Sequence, residues 1–189
     1  MQTLTICAII CLQMRRIGDI DILDDEILQT EIWVMSVIFL LVGILVGLIF
    51  AFCGAHEEIS LRWFLALGLL TLVSQPVHEL VHAAGFMIAS GFRARIRFGF
   101  TTGMLYTTAV GTMLRKGAFL CVLLAPAVVV STALGVGCCV AGYPLLAYFC
   151  VVLHLAGCTG DFAYFYIIAR EPKAHYVEDT ARGVSLLSE

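Results

Sequence analysis

Residues 63–90 read "WFLALGLLTLVSQPVHELVHAAGFMIAS". About 20 apolar residues suffice to cross a hydrocarbon core, and this run is long enough. Its first half is almost purely hydrophobic, yet its second half holds a His-Glu-x-x-His pattern at His78, Glu79 and His82. On a helix, His78 and His82 lie one turn apart on the same face, so both rings can reach one ion. A carboxylate inside an apolar span costs about 2.5 kcal/mol or more and reads by default as a functional site. The bland alternative is a polar cluster at a helix end, snorkelling to water. The cost favours a membrane span that carries a metal site.

The rest of the chain agrees with a membrane setting. Hydrophobic residues make up 61% of the 189 and charged residues only 13%, with a mean hydropathy of +0.99. Soluble domains are about 45–50% apolar and about 25% charged. A net charge of −3 and the lack of a basic, aromatic-rich patch exclude nucleic acid as a partner. Most of the eight cysteines lie in apolar runs and no CxxC pair occurs, so neither a disulfide framework nor a cysteine zinc knuckle is expected. The apolar stretch at residues 6–12 precedes the basic pair Arg15 and Arg16 without a small-residue cleavage site, which is not the pattern of a signal peptide. The acidic stretch "IGDIDILDDEILQTE" (17–31) reads as a surface helix or mobile tail.

Four segments qualify as spans, at about residues 33–53, 63–90, 117–141 and 144–169. With both termini inside, ten of the 11 Lys and Arg residues fall on the cytoplasmic side and only Arg62 on the other, as the positive-inside rule prefers. Between the second and third spans, Arg95, Arg97, Gly99 and Thr101 alternate with Ile96, Phe98 and Phe100. That period of two predicts a strand, with "TTG" (101–103) as the turn and residues 104–108 as the return strand. The fold expected is an all-α integral membrane protein, with about four transmembrane helices and a small interfacial β-hairpin. Its parts are an N-terminal cytoplasmic segment (1–32), a membrane metallopeptidase-like domain (33–170) and a cytoplasmic tail (171–189).

A catalytic zinc uses three protein ligands and keeps one position open, where it lowers the pKa of a water to about 7. His78 and His82 supply two ligands, and Glu79 beside them can take a proton from that water. The only acid in the other spans is Asp161. His78 and His82 stand 15 and 19 residues past Trp63, and Asp161 stands 17 past Pro144. Both spans run inward, so at about 1.5 Å per residue all three groups reach one depth. His154 precedes Asp161 by seven residues, about two turns, on the same face. It can replace Asp161 as ligand, steady an oxyanion, or be a histidine satisfied by a backbone carbonyl. Pro76 removes a helical hydrogen bond just before His78.

From "PVHELVHAAGF" through "RIRFGF", "LYTTA", "LLAPAVVV" and "HLAGCTGDFAYFY" to "HYVEDTARG", the chain resembles a zincin-peptidase family of small prokaryotic membrane proteins with a domain of unknown function. The resemblance covers roughly residues 70–187. It implies metal binding by His78 and His82, Glu79 as base and Asp161 as a zinc ligand. The arrangement is also similar to site-2 proteases, which carry the motif in one membrane helix and an Asp ligand in a later one. Those enzymes have a strand element that a substrate can join. The family pattern has Asn where this chain has His154.

The function expected is a membrane-embedded zinc metalloprotease, with Zn2+ on His78, His82 and Asp161 and with Glu79 and His154 as catalytic residues. Its partners are membrane lipid and a membrane-associated protein or peptide substrate, in the cell membrane. An inactive scaffold, or a metal carrier using the same four His and Asp groups, are the rivals. A carrier has no use for Glu79 as a base.

Overall fold

The computed structural model describes residues 15–21, 25–54, 57–101, 104–181 and 183–188. The apolar stretch 6–12, turn residues 102 and 103, and Arg182 lie outside the described residues. Three helices are long and apolar enough to cross a membrane: α1 (Glu26–Cys53), α2 (Leu61–Ala89) and α3 (Lys116–Val140). Asp25 starts α1 by accepting the Ile27 and Leu28 amides, each at 3.0 Å, which satisfies two of the orphan donors of a helix N-terminus. Beyond that cap α1 is apolar nearly all round, and Gly47 is its only buried residue. Its glycines mark the side that meets the bundle. A Cβ at Gly43 would fall inside the Val152 side chain, and the Tyr148 hydroxyl donates to the Gly43 carbonyl at 2.8 Å. Small residues permit this close helix approach.

The run expected as a single fourth span is two helices, α4 (Pro144–Gly157) and α5 (Thr159–Arg170), bent by 52° at their junction. The bend has a local cause. The Cys158 amide is shared between the His154 and Leu155 carbonyls at 3.1 Å each, and the Thr159 hydroxyl donates back to the Ala156 carbonyl at 3.1 Å. Side chains that bond the preceding turn bend helices in this way. Thr159 also meets Ser36 of α1.

At the other end of α4, Glu57 closes the helix N-terminus. Its carboxylate accepts the Leu145 and Leu146 amides and the Trp63 indole N–H, the last at 2.9 Å. Three donors on one anion at the positive end of a helix make this a charged cap. Glu57→Ala is expected to destabilise the protein by about 1–2 kcal/mol, read as a lowered thermal midpoint in detergent, with Glu57→Gln closer to wild type.

The strands correct the all-α expectation. The hairpin is present with the predicted bounds: β2 (Arg97–Thr101) pairs antiparallel with β3 (Met104–Thr108), Arg97 opposite Thr108 and Phe100 opposite Leu105. At Gly99 the Tyr106 ring lies across the strand, and a Cβ there would have to displace it. A second sheet has the order β1-β6-β5-β4, all antiparallel, from β1 (Arg15–Ile20), β4 (Met113–Arg115), β5 (Tyr176–Asp179) and β6 (Val184–Ser188). Residues 15–20 are therefore an edge strand, not the surface helix or mobile tail expected, and helix begins only at Glu26. The segment expected as a tail supplies β5 and β6. Their Val177, Val184 and Leu186 share a buried cluster with Phe86 of α2, Phe119 and Val122 of α3 and Ile168 of α5. The sheet is thus packed onto the helix ends that surround the histidines.

Candidate metal centre

α2 presents His78 and His82 from one face, with ring centroids 4.8 Å apart. The break between α4 and α5 sets Asp161 in the first turn of α5. Its two carboxylate oxygens divide between the rings: Oδ2 lies 3.1 Å from His78 Nε2, and Oδ1 lies 3.3 Å from His82 Nε2. The three donor atoms lie within 4.8 Å of one another. Three groups from two distant stretches of sequence thus converge at one point.

The far sides of the rings are held as well. His82 Nδ1 faces the Val122 carbonyl at 3.1 Å. A carbonyl only accepts, so Nδ1 carries a proton and Nε2 is the nitrogen that turns to Asp161. A ring nitrogen and a carboxylate oxygen this close share either a proton or a cation, and two imidazoles with a carboxylate are a donor set that suits zinc. The residues present fit the metal.

His154 lies behind His78. Its Nε2 is 3.3 Å from His78 Nδ1, and its own Nδ1 is 2.9 Å from the Ser131 hydroxyl. Cys158 Sγ is 3.7 Å from the same His78 nitrogen. His78, His154 and Cys158 form a second group with metal-ligand spacing, but it shares His78 through the opposite nitrogen and is sealed, His154 being 1% exposed and Cys158 0%. The structure therefore brings His78, His82 and Asp161 together, and it places His154 where it orients His78. Partners that fix the ring of a metal-ligating histidine usually tune affinity. His154→Ala is expected to weaken zinc binding by about 10–100-fold without abolishing it, measured by competition with a chelator of known affinity.

Glu79 faces a cavity of about 230 Å3 shared with His78, His82 and Asp161. Its Oε2 is buried with no hydrogen-bond partner among the described residues. A buried polar atom left unpaired calls for an explanation, and a catalytic role is one. The other walls are β3 (Leu105 to Thr108) and the β5–β6 connection with Asp179 and Val184. The Thr107 hydroxyl donates to the Glu79 carbonyl at 3.1 Å, which ties the hairpin to the helix beside the histidines. Sequence reading missed Ser131, Cys158 and Asp179. Asp179 is 8% exposed, and burial pushes its carboxyl up to about 6. Its only trace was its place in "HYVEDTARG".

Residues 71–176, more than half of the chain, match the family described as "Putative zincin peptidase". The chain belongs to this family. No curated protein and no solved structure matches it. The zincin-peptidase match runs from within α2 to the first residue of β5 and so includes His78, Glu79, His82, His154 and Asp161. Asp179 and β6 lie beyond it.

Proposed function

We propose that this chain is a membrane-embedded zinc metallopeptidase that hydrolyses peptide bonds in membrane-associated substrates. The observation that carries the reading is the convergence of His78, His82 and Asp161 beside the unpaired Oε2 of Glu79, in a cavity walled by a strand edge. Zinc held by those three residues would act as a Lewis acid on the scissile carbonyl and make a water acidic near neutral pH. Glu79 takes a proton from the water as its oxygen bonds to the carbonyl carbon. When the C–N bond breaks, Glu79 returns that proton to the leaving nitrogen. Asp161 holds both Nε2 atoms in place. His154, with Ser131 behind it, keeps the His78 ring turned toward the cavity.

Among the described residues β3 pairs with β2 alone, so its other edge is open to an extended substrate segment, which would bind by strand addition. Such a substrate must first unwind if it comes from a membrane helix. Four crossings with both termini cytoplasmic accord with the pairing of β1 with β6. Those two strands lie in one sheet, which supports an even number of crossings. Three long helices, with the bent α4–α5 pair taken as one span, would make four.

The second group, His78, His154 and Cys158, is what favours a metal carrier as the second reading, because it adds donors next to the first group. Metal flux in sealed vesicles tests the carrier reading. The deciding experiment for the peptidase is cleavage of co-expressed single-span membrane proteins by wild type against Glu79→Gln. Products that form equally with both would sink the peptidase reading.

A further inference from the structure

The hairpin strand that walls the cavity is held near its C-terminal end by α2, through Thr107, and just beyond that end by a single residue of the C-terminal sheet. Ala109 follows β3 directly and is fully buried. Its amide donates to Asp179 Oδ2 at 2.5 Å. The Asp179 backbone grips the same turn twice more: its carbonyl accepts the Gly111 amide at 2.8 Å and its amide donates to the Thr112 carbonyl at 3.1 Å. The turn is itself closed by the Thr112 amide on the Ala109 carbonyl at 2.8 Å, with Gly111 at φ 78°. β3 therefore leaves the cavity into a turn that Asp179 clamps. At the cavity side, the Thr107 hydroxyl pins the strand to the Glu79 carbonyl. The two backbone bonds would survive any substitution at 179. The carboxylate bond is the one that reaches back to the residue joined to β3.

On the metallopeptidase reading above, we infer that Asp179 is a positioning residue for substrate: its carboxylate fixes the open edge of β3 in register with Glu79 and the metal ligands. A neutral acceptor oxygen can make the same bond to the Ala109 amide, though a carboxylate makes it more strongly. Asn at 179 keeps such an oxygen and Ala does not. A shift of an ångström at a binding edge is costly for an extended ligand and irrelevant to one that touches only the metal.

The test uses two metal-binding probes on the full chain, purified in detergent with zinc. One is acetohydroxamate, which reaches the metal alone. The other is a peptidyl hydroxamate whose extended backbone is long enough to pair with β3. Asp179→Ala is expected to keep its zinc and its acetohydroxamate affinity while losing about 10-fold or more in affinity for the peptidyl probe. Asp179→Asn is expected to stay close to wild type for both. Loss of both probes equally in Asp179→Ala would place the effect at the metal and overturn the inference. Asp179→Asn falling as far as Asp179→Ala would also overturn it, since charge and not the amide bond would then be at work. Asp179→Ala indistinguishable from wild type would do the same. Wild type that holds zinc yet binds neither probe would end the metallopeptidase reading and this inference with it. Should Asp179→Ala not fold, hydrogen exchange on wild type and Asp179→Asn decides the matter. The Ala109 amide is expected to be protected in both, and rapid exchange there in wild type would refute the clamp.

Discussion

Glu79→Gln is expected to abolish nearly all turnover, a loss of about 10²–10⁴-fold in kcat, while the chain keeps one zinc and its thermal stability. The side chain is not a member of the converging donor set, so amidation leaves His78, His82 and Asp161 as they are. The amide has nearly the volume of the carboxylate and keeps an acceptor oxygen, and Oε2 has no hydrogen-bond partner among the described residues. What disappears is the ability to accept and return a proton at the cavity wall. The combination to be measured is therefore zinc retained, stability unchanged and product absent. A Glu79→Gln protein that cuts at the wild-type rate would remove the general base from the mechanism.

His82→Ala and Asp161→Ala are expected to weaken zinc binding by more than about 100-fold, beyond the loss typical of an outer-shell partner. Each removes a group whose reacting atom lies at the point of convergence. Wild type purified without chelator should carry about one zinc per chain by elemental analysis. Both variants should carry almost none after brief dialysis. The sign is the same for the two, yet they test different things. His82 shares a helix with His78, whereas Asp161 comes from α5, so loss in Asp161→Ala verifies that the site spans two distant segments. Zinc retained in Asp161→Ala alone would make His154 the third ligand, through rotation of the His78 ring.

These two results would also separate the chain from its rivals. An inactive scaffold would show no dependence of phenotype on Glu79. A carrier would move metal across a vesicle and would need His154 and Cys158 open to a path, whereas both are sealed.

Much of the site can be read without coordinates, for physical reasons that act locally. The helical period puts His78 and His82 on one face, and the cost of a buried Glu between them marks the place. Similar residue counts from Trp63 to the histidines and from Pro144 to Asp161 single out that acid as their partner. The period-two pattern from residue 95 onward delivers β2 and β3 with their bounds. Nothing comparable marks residues 15–20 as a strand. Their partner is residues 184–188, and a pairing across nearly the whole chain leaves no trace in either short segment's local pattern. The same holds for Asp179, whose role depends on the amide of Ala109 seventy positions earlier.

The amino-acid sequence by itself determined the apolar helices, the histidine pair with its acid, and the hairpin, because hydrophobic periodicity and the cost of burying charge act within one segment. The tertiary structure decided which nitrogen of each histidine faces Asp161. It put His154 behind His78 and not in front of it, broke the fourth apolar run at Cys158, and brought residues 15–20 and 184–188 into one sheet. Each of those outcomes rests on hydrogen bonds between residues far apart in the chain, and the partner of a buried polar group is chosen by the packed fold, not by its neighbours in sequence.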